Sequence, residues 1–275
     1  MLRVLSFNVR GAFRDLGRPE AWPNRAATNV ATIQAHAPDL VGLQECQRGN
    51  LAVYRRDLPR YARIKGPAYG NALPHDYNAI LYDPARLELI DSGGFWLSET
   101  PDRRSRGWGA RVARSANWAL FVSGSGPILY LNTHLDHKSA PARRNGSALI
   151  IRELEVLLQN QGPETPTIVT GDFNCRPGTP TYGNFADGGF ADTHLVAGNR
   201  DDAGANTFHA FKGDRYRDPN PERGPRRIDW ILLKDPLNRL RVACQKILHD
   251  RDEETGLYPS DHYPVLAHII RSDQP

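Results

Sequence analysis

Cysteine is scarce: the 275 residues hold three, Cys46, Cys175 and Cys244. An odd, widely spaced set excludes a disulfide-stapled secreted scaffold and has no metal-finger spacing, so Cys46 and Cys175 read as ordinary buried thiols in a reducing compartment. Long apolar runs are missing as well. No stretch approaches the roughly 18 residues of a membrane span, and Met1 to Asn8 is already strand-like. No export signal is visible, and the expected location is the cytoplasm with no membrane partner. No solenoid repeat or low-complexity linker divides the chain, and 40% hydrophobic residues suffice for one domain with a sizeable core. Charge excess is also small: 35 Lys and Arg against 31 Asp and Glu leave +4, a slight bias toward polyanions.

What is present is a recurring grammar in which an apolar strand ends in an acid, an amide or an imidazole. Val4 to Asn8 reads as an alternating strand, followed by a loop rich in Arg, Gly and Pro. Residues 24–37 fit a helix, with Asn24 as a candidate N-cap and Pro38 as its stop. Leu40 to Cys46 is the next strand and contains Glu45. Strands are expected at 77–82 and 87–97, a hairpin at 118–123 and 128–133, and a helix at 142–159 whose apolar face holds Leu149, Ile150, Leu154 and Leu158. A buried strand then runs from Pro166 through Val169 to Gly171-Asp172-Phe173-Asn174. Residues 176–227 read as a long irregular region, of the kind that in compact domains is functional or disordered. Strands at 228–233 and 265–270 follow, the last entered through Ser260-Asp261-His262-Tyr263-Pro264.

The polar strand ends are Asn8, Glu45, His134, Asp136, Asp172, Asn174, Asp229, Asp261 and His262. Any one of them alone is an ordinary turn former or surface charge; recurrence is the signal. Hard oxygen donors dominate, which suits Mg2+ or Mn2+, and the closely spaced His and Cys of a zinc site are missing. Two imidazoles among carboxylates suit a phosphate centre attacked by water. Outside this set, Arg103, Arg104, Arg106, Arg111 and Arg114 crowd one loop with Trp108 among them, a pattern that fits either a phosphate chain or a solvated surface.

The motifs Leu5-Ser6-Phe7-Asn8-Val9-Arg10, Val41-Gly42-Leu43-Gln44-Glu45, Leu131-Asn132-Thr133-His134-Leu135-Asp136, Val169 to Asn174, Arg227-Ile228-Asp229-Trp230 and Ser260 to Pro264 resemble, in order, the endonuclease/exonuclease/phosphatase superfamily, whose members include deoxyribonuclease I-like and exonuclease III-like enzymes. Phe95 to Pro101 with Arg114 and Trp118 looks like a bacterial, deadenylase-related branch. The resemblance implies a four-layer α/β sandwich, two mixed β-sheets packed face to face with helices outside. It also implies Glu45 as principal metal ligand, with Asn8 and Asp261 supporting it. Asp172 would orient or deprotonate water, and Asn174 would hold the water or a phosphate oxygen. His262, its tautomer fixed by Asp229, would contact the phosphate. His134 would bond the phosphate or protonate the leaving oxygen. Arg114, Arg143 and Asp136 are expected on the substrate. His134 stands where abasic-site endonucleases carry a tyrosine-containing motif, a departure from that branch. The expected function is metal-dependent phosphodiester hydrolysis in nucleic acid. The alternatives are a small or lipid phosphate (nucleotide, inositol phosphate, sphingomyelin) and a noncatalytic binder, and no obligate protein partner is evident.

Overall fold

In the computed structural model, which describes residues 1–71 and 73–272, the chain runs β1 (Leu2–Asn8), α1 (Trp22–His36), β2 (Leu40–Gln44), α2 (Arg48–Asp57), β3 (Ala62–Ile64), β4 (Ala68–Tyr69), β5 (Asp76–Tyr77), β6 (Ile80–Tyr82), β7 (Leu87–Trp96), β8 (Ser115–Ser123) and β9 (Gly126–His134). It continues through α3 (Ala140–Gln161), β10 (Thr167–Asp172), α4 (Pro180–Asp187), β11 (Ala191–Asp192), α5 (Thr193–Val196), β12 (Asp229–Lys234), β13 (Leu240–Ile247) and β14 (Val265–Arg271). Two six-stranded sheets result, ordered β13-β14-β1-β2-β6-β3 and β11-β12-β10-β9-β8-β7. Both are mixed: β1 pairs parallel with β2 and β10 parallel with β9, while their other neighbours run antiparallel.

Strand alternation builds the layers. In β1, Val4 faces the opposing sheet while Leu5 and Phe7 face α1 and α2, where they meet Val30, Ile33 and Tyr54. In β10, Ile168 faces inward, and Val169 packs outward in one apolar cluster with Leu149, Ile150 and Leu154 of α3. The result is helix, sheet, sheet, helix.

Toward one end the apolar filling between the sheets gives way to polar side chains that bond across the gap. Gln44 Nε2 donates to Asn132 Oδ1 at 2.7 Å and Asn132 Nδ2 donates to the carbonyls of Leu43 and Ala79, while within the second sheet Tyr130 of β9 and Thr170 of β10 share a 2.6 Å hydrogen bond that faces the gap. Gly42 allows this approach, since a Cβ there would lie 2.3 Å from Thr170 Oγ1 and 2.4 Å from Tyr130 Oη.

Several expectations are corrected. Ala21, not Asn24, occupies the N-cap position of α1, and Asn24 lies inside the helix with its side chain on the Pro19 carbonyl. The 77–82 strand is broken into β5 and β6. The 176–227 region contains α4, β11 and α5, and β13 and α2 are elements that the sequence pattern did not mark. Gly42→Ala is expected to destabilise the fold by about 1–3 kcal/mol through overpacking of this polar layer. A urea midpoint equal to that of the parent would show that the sheets can move apart freely.

Candidate active site

The same alternation that makes the core carries Asn8, His134, Asp172 and Asp229 to the inner face, because each shares parity with an inward apolar residue of its strand, Val4, Ile128, Ile168 and Ile231. Glu45 breaks the parity rule. It follows β2 with a left-handed φ of 54°, a backbone kink that departs from the strand, and Asn174 leaves β10 the same way at 51°. Glu45, His134, Asp172 and Asn174, with Asp261 and His262, line one cleft of about 370 Å³ together with Arg10, Arg14, Tyr69, Asp76, Arg114, His137 and Arg226, and Asn8 and Asp229 lie behind its wall, bonded to Asp172 and His262.

Asp172 is the hub. Its Oδ2 accepts from Asn8 Nδ2 at 2.9 Å and lies 3.3 Å from His134 Nε2 and 3.8 Å from His262 Nε2, while Oδ1 accepts from the Asn174 amide. His262 Nδ1 sits 2.9 Å from Asp229 Oδ2. Burial and the charge of Asp229 push the Asp172 carboxyl up to about 7. Burial opposes a charge on His262, but Asp229 and Asp172 outweigh it and hold the imidazolium up to about 10. His134 goes the other way: burial, with Arg114 and His262 nearby, keeps it neutral. The Asn174 amide NH2 spans the Leu135 carbonyl and His134 Nε2, so Nε2 accepts. His134 Nδ1 then carries the proton and donates to the Tyr69 hydroxyl, 3.2 Å away, which also accepts from the Glu45 amide. His134 thus braces Asn174 against Tyr69.

Glu45 lies 3.4 Å from Asn8 Nδ2 through Oε1, and its Oε2 is 2.9 Å from Arg14 Nε. That contact is an ion pair without hydrogen-bond alignment, since Glu45 Oε2 is buried and accepts no hydrogen bond. Burial works against the charge, but Arg14 and Arg10 keep the carboxyl below its ordinary range. Asp261 pairs with Arg10 at 3.4 Å. An ionised, incompletely satisfied Glu45 with Asp261 in the same cleft is an oxygen-rich donor set with no thiol, and it fits a hard divalent cation; Asn8 turns Nδ2 to Glu45 and Asp172 and its Oδ1 accepts from the Arg10 amide. Asp172, Asp229 and His262 also bring three ligand atoms within 4.8 Å of one another. There, however, the imidazolium already bridges the two carboxylates, which favours a proton-handling chain over a second metal centre.

Two expected substrate residues lie outside this arrangement. Asp136 is buried and spends both oxygens on backbone amides, those of Lys138 and Ser139 through Oδ1 and those of Arg111 and Val112 through Oδ2. It staples the start of α3 to the arginine loop. Arg143 donates to the Asp136 carbonyl and does not line the cleft. Arg114 does line it: buried, with Nε unpartnered, one amino group 3.3 Å from His137 Nδ1 and the guanidinium 5.5 Å over the Tyr69 ring. Sequence reasoning missed Tyr69, Arg10, Arg14, Asp76 and Arg226, because they sit where no periodic signal marks them. Cys46 and Cys175 are buried and unbonded, as expected. The His209 ring stacks on that of Tyr263, centroids 3.9 Å apart, and does not line the cleft.

Proteins of known structure share this fold. A mannosyl-6-phosphatase of Bacteroides thetaiotaomicron superimposes with a TM-score of 0.85 at 29% identity, covering 98% of this chain and 100% of that one. TDP2 of D. rerio, solved with a single-strand DNA product, has a TM-score of 0.69 at 18% identity over 98% of each chain, a likeness of fold alone. An uncharacterized protein of Acanthamoeba polyphaga mimivirus is 26% identical over 184 residues, 63% of this chain and 67% of its own. The endonuclease/exonuclease/phosphatase family model matches residues 5–262. Members of that family are divalent-metal-dependent, in keeping with the oxygen donors that Glu45 and Asp261 bring to the cleft. The chain belongs to the endonuclease/exonuclease/phosphatase family and is a phosphoesterase hydrolase.

Proposed function

We propose that this enzyme hydrolyses the terminal phosphate of a small phosphomonoester, with Mg2+ or Mn2+ as its metal. The observation that carries the reading is the concentration of guanidinium groups inside a small cleft. Arg10, Arg14, Arg114 and Arg226 all line it, and Arg114 is buried with a donor unspent. A monoester dianion carries one more charge than a diester and is matched by converging cations better than by a row of them. The 29% identity to a mannosyl-6-phosphatase over nearly the whole chain supports it.

The roles follow from the distances. Glu45, Asp261 and Asn8 would hold the cation, which when bound polarises the phosphate and offsets its charge. Asp172, poised near neutrality and fixed by Asn8 and the Asn174 amide, accepts the proton of an attacking water. His262, kept charged by Asp229, offers Nε2–H to a nonbridging oxygen, and Arg114 offers its free Nε–H to another. Tyr69, which accepts from both Glu45 and His134, keeps its own hydroxyl proton for the cleft.

A second reading is a nucleic-acid phosphodiester. Arg103, Arg104, Arg106 and Arg111 are exposed, and Arg104 and Arg106 border a further hollow with Asn71 and Ala113. Such a row would track a phosphate backbone. A panel of a sugar 6-phosphate, a nucleoside monophosphate, single-stranded DNA and single-stranded RNA separates the two. Release of inorganic phosphate from the small esters is expected; polymer cleavage without it would favour the second.

Glu45→Gln is expected to lower monoester turnover by at least ~100-fold and to weaken Mn2+ binding measured by calorimetry. Unchanged binding would remove Glu45 from the metal site. Arg114→Met is expected to raise KM for a monoester by about 10-fold or more, the worth of a charge-assisted hydrogen bond. An unaltered KM would mean that the buried guanidinium serves the loop and not the phosphate.

A further inference from the structure

Beside the catalytic cleft lies a second hollow of about 590 Å³, walled by Phe13, Leu16, Leu73, Pro74, His75 and Tyr77, with Arg48 as its one formally charged lining residue. Three of these are large hydrophobic side chains in water: Phe13 is 51% exposed, Leu16 67% and Leu73 81%. Single exposed hydrophobics need no explanation, but three lining one concavity do.

The hollow is also held in place. Its two loops are those that supply Arg14 and Asp76 to the cleft. Gln47 ties them together: its Oε1 accepts from the Phe13 amide at 2.8 Å, and its Nε2 donates to Asp76 Oδ1 at 2.8 Å. Arg14 adds a second tie, reaching Asp76 Oδ2 at 2.9 Å and Glu45 Oε2 at 2.9 Å. Ala12 is pinned in turn, its amide donating to Asn50 Oδ1 at 2.9 Å. A buried polar frame thus presents an apolar surface next door to the group expected to hold the metal.

We infer that this hollow receives the leaving-alcohol portion of the substrate, and that this portion is apolar, an alkyl or aryl group. The inference rests on the phosphomonoesterase reading and extends it to the substrate's other half. The phosphate sits among Arg114, His262 and Asp172, and the ester oxygen leads the alcohol past the Arg14–Asp76 pair onto Phe13, Leu16, Leu73 and Tyr77. Each methylene removed from water there contributes about 0.8 kcal/mol, nearly fourfold in the rate constant ratio.

The test is a series of straight-chain alkyl phosphates from ethyl to octyl, assayed with Mg2+ and Mn2+, with the matching alkylphosphonates titrated by calorimetry. For the parent enzyme, kcat/KM and phosphonate affinity are both expected to rise by up to about fourfold per methylene over the first few carbons. In the double variant Leu16→Ser/Leu73→Ser that slope is expected to flatten. Because the slope is a ratio within each protein, loss of active material does not imitate it. A flat series in the parent overturns the inference, as does a steep one surviving in the variant, which would place the chain elsewhere. Failure to hydrolyse any monoester would sink the phosphomonoesterase reading instead; a phosphonate affinity rising with chain length would still locate the apolar subsite, and a flat one would dismiss it.

Discussion

The contact on which the site depends is the cross-sheet hydrogen bond between Asn8 Nδ2, at the end of β1, and Asp172 Oδ2, at the end of β10. Two residues 164 positions apart must finish their strands at the same height, on facing surfaces, with the correct parity. A slip of one residue in either would turn the carboxylate or the amide to the helix side. The bonds of Asn132 to Gln44, Leu43 and Ala79 and the missing side chain at Gly42 hold the sheets close enough for that contact. The buried donors of Gln44 and Asn132 are spent on acceptors across the gap, so the sheets cannot slide without leaving donors unpaired. Register, more than apolar burial, is what makes the cleft.

Charge within the cleft follows from the same closeness. Asp172 and Asp229 are brought near enough that one imidazole serves both, which accounts for a carboxyl held near neutrality beside an imidazolium held charged. Arg14 lies between Glu45 and Asp76, and its distances to both are equal at 2.9 Å. Asp76 titrates high, up to about 6, because burial and Glu45 act against its charge and Arg14 compensates only in part. The cleft is thus strongly charged in both signs although the chain as a whole is nearly balanced, and net charge carried little information about it.

The sequence displayed the strand ends because period-two alternation ending in a polar residue is a local signal. Asn8, Asp172, His134 and Asp229 were legible for that reason. Glu45 and Asn174 were named from motif, and their left-handed backbones were not visible. Asp136, taken from its motif, and Arg143 were expected on the substrate. In space the acid turns to four backbone amides, and the arginine turns to the acid's own carbonyl. Helix α2 escaped notice because its buried residues, Asn50 and Tyr54, leave no apolar stripe. Phe13, Leu16 and Leu73 were hidden similarly: isolated apolar residues in loops have no period, and only the fold shows that two loops distant in sequence close one hollow.

Gln47 links these levels. It is buried, sits two residues after Glu45, caps α2 and bridges the loops of Phe13 and Asp76. Any shift of those loops is therefore felt at the first turn after the carboxylate, and Arg14 repeats the connection at the carboxylate itself. A rigid frame of this kind makes the positions of the Phe13 and Asp76 loops and of Glu45 interdependent. The loops that set specificity are then part of the catalytic support, and a family whose strand ends are shared can change substrate by rebuilding them, provided the replacements keep a buried polar tie of equal length between loop and carboxylate.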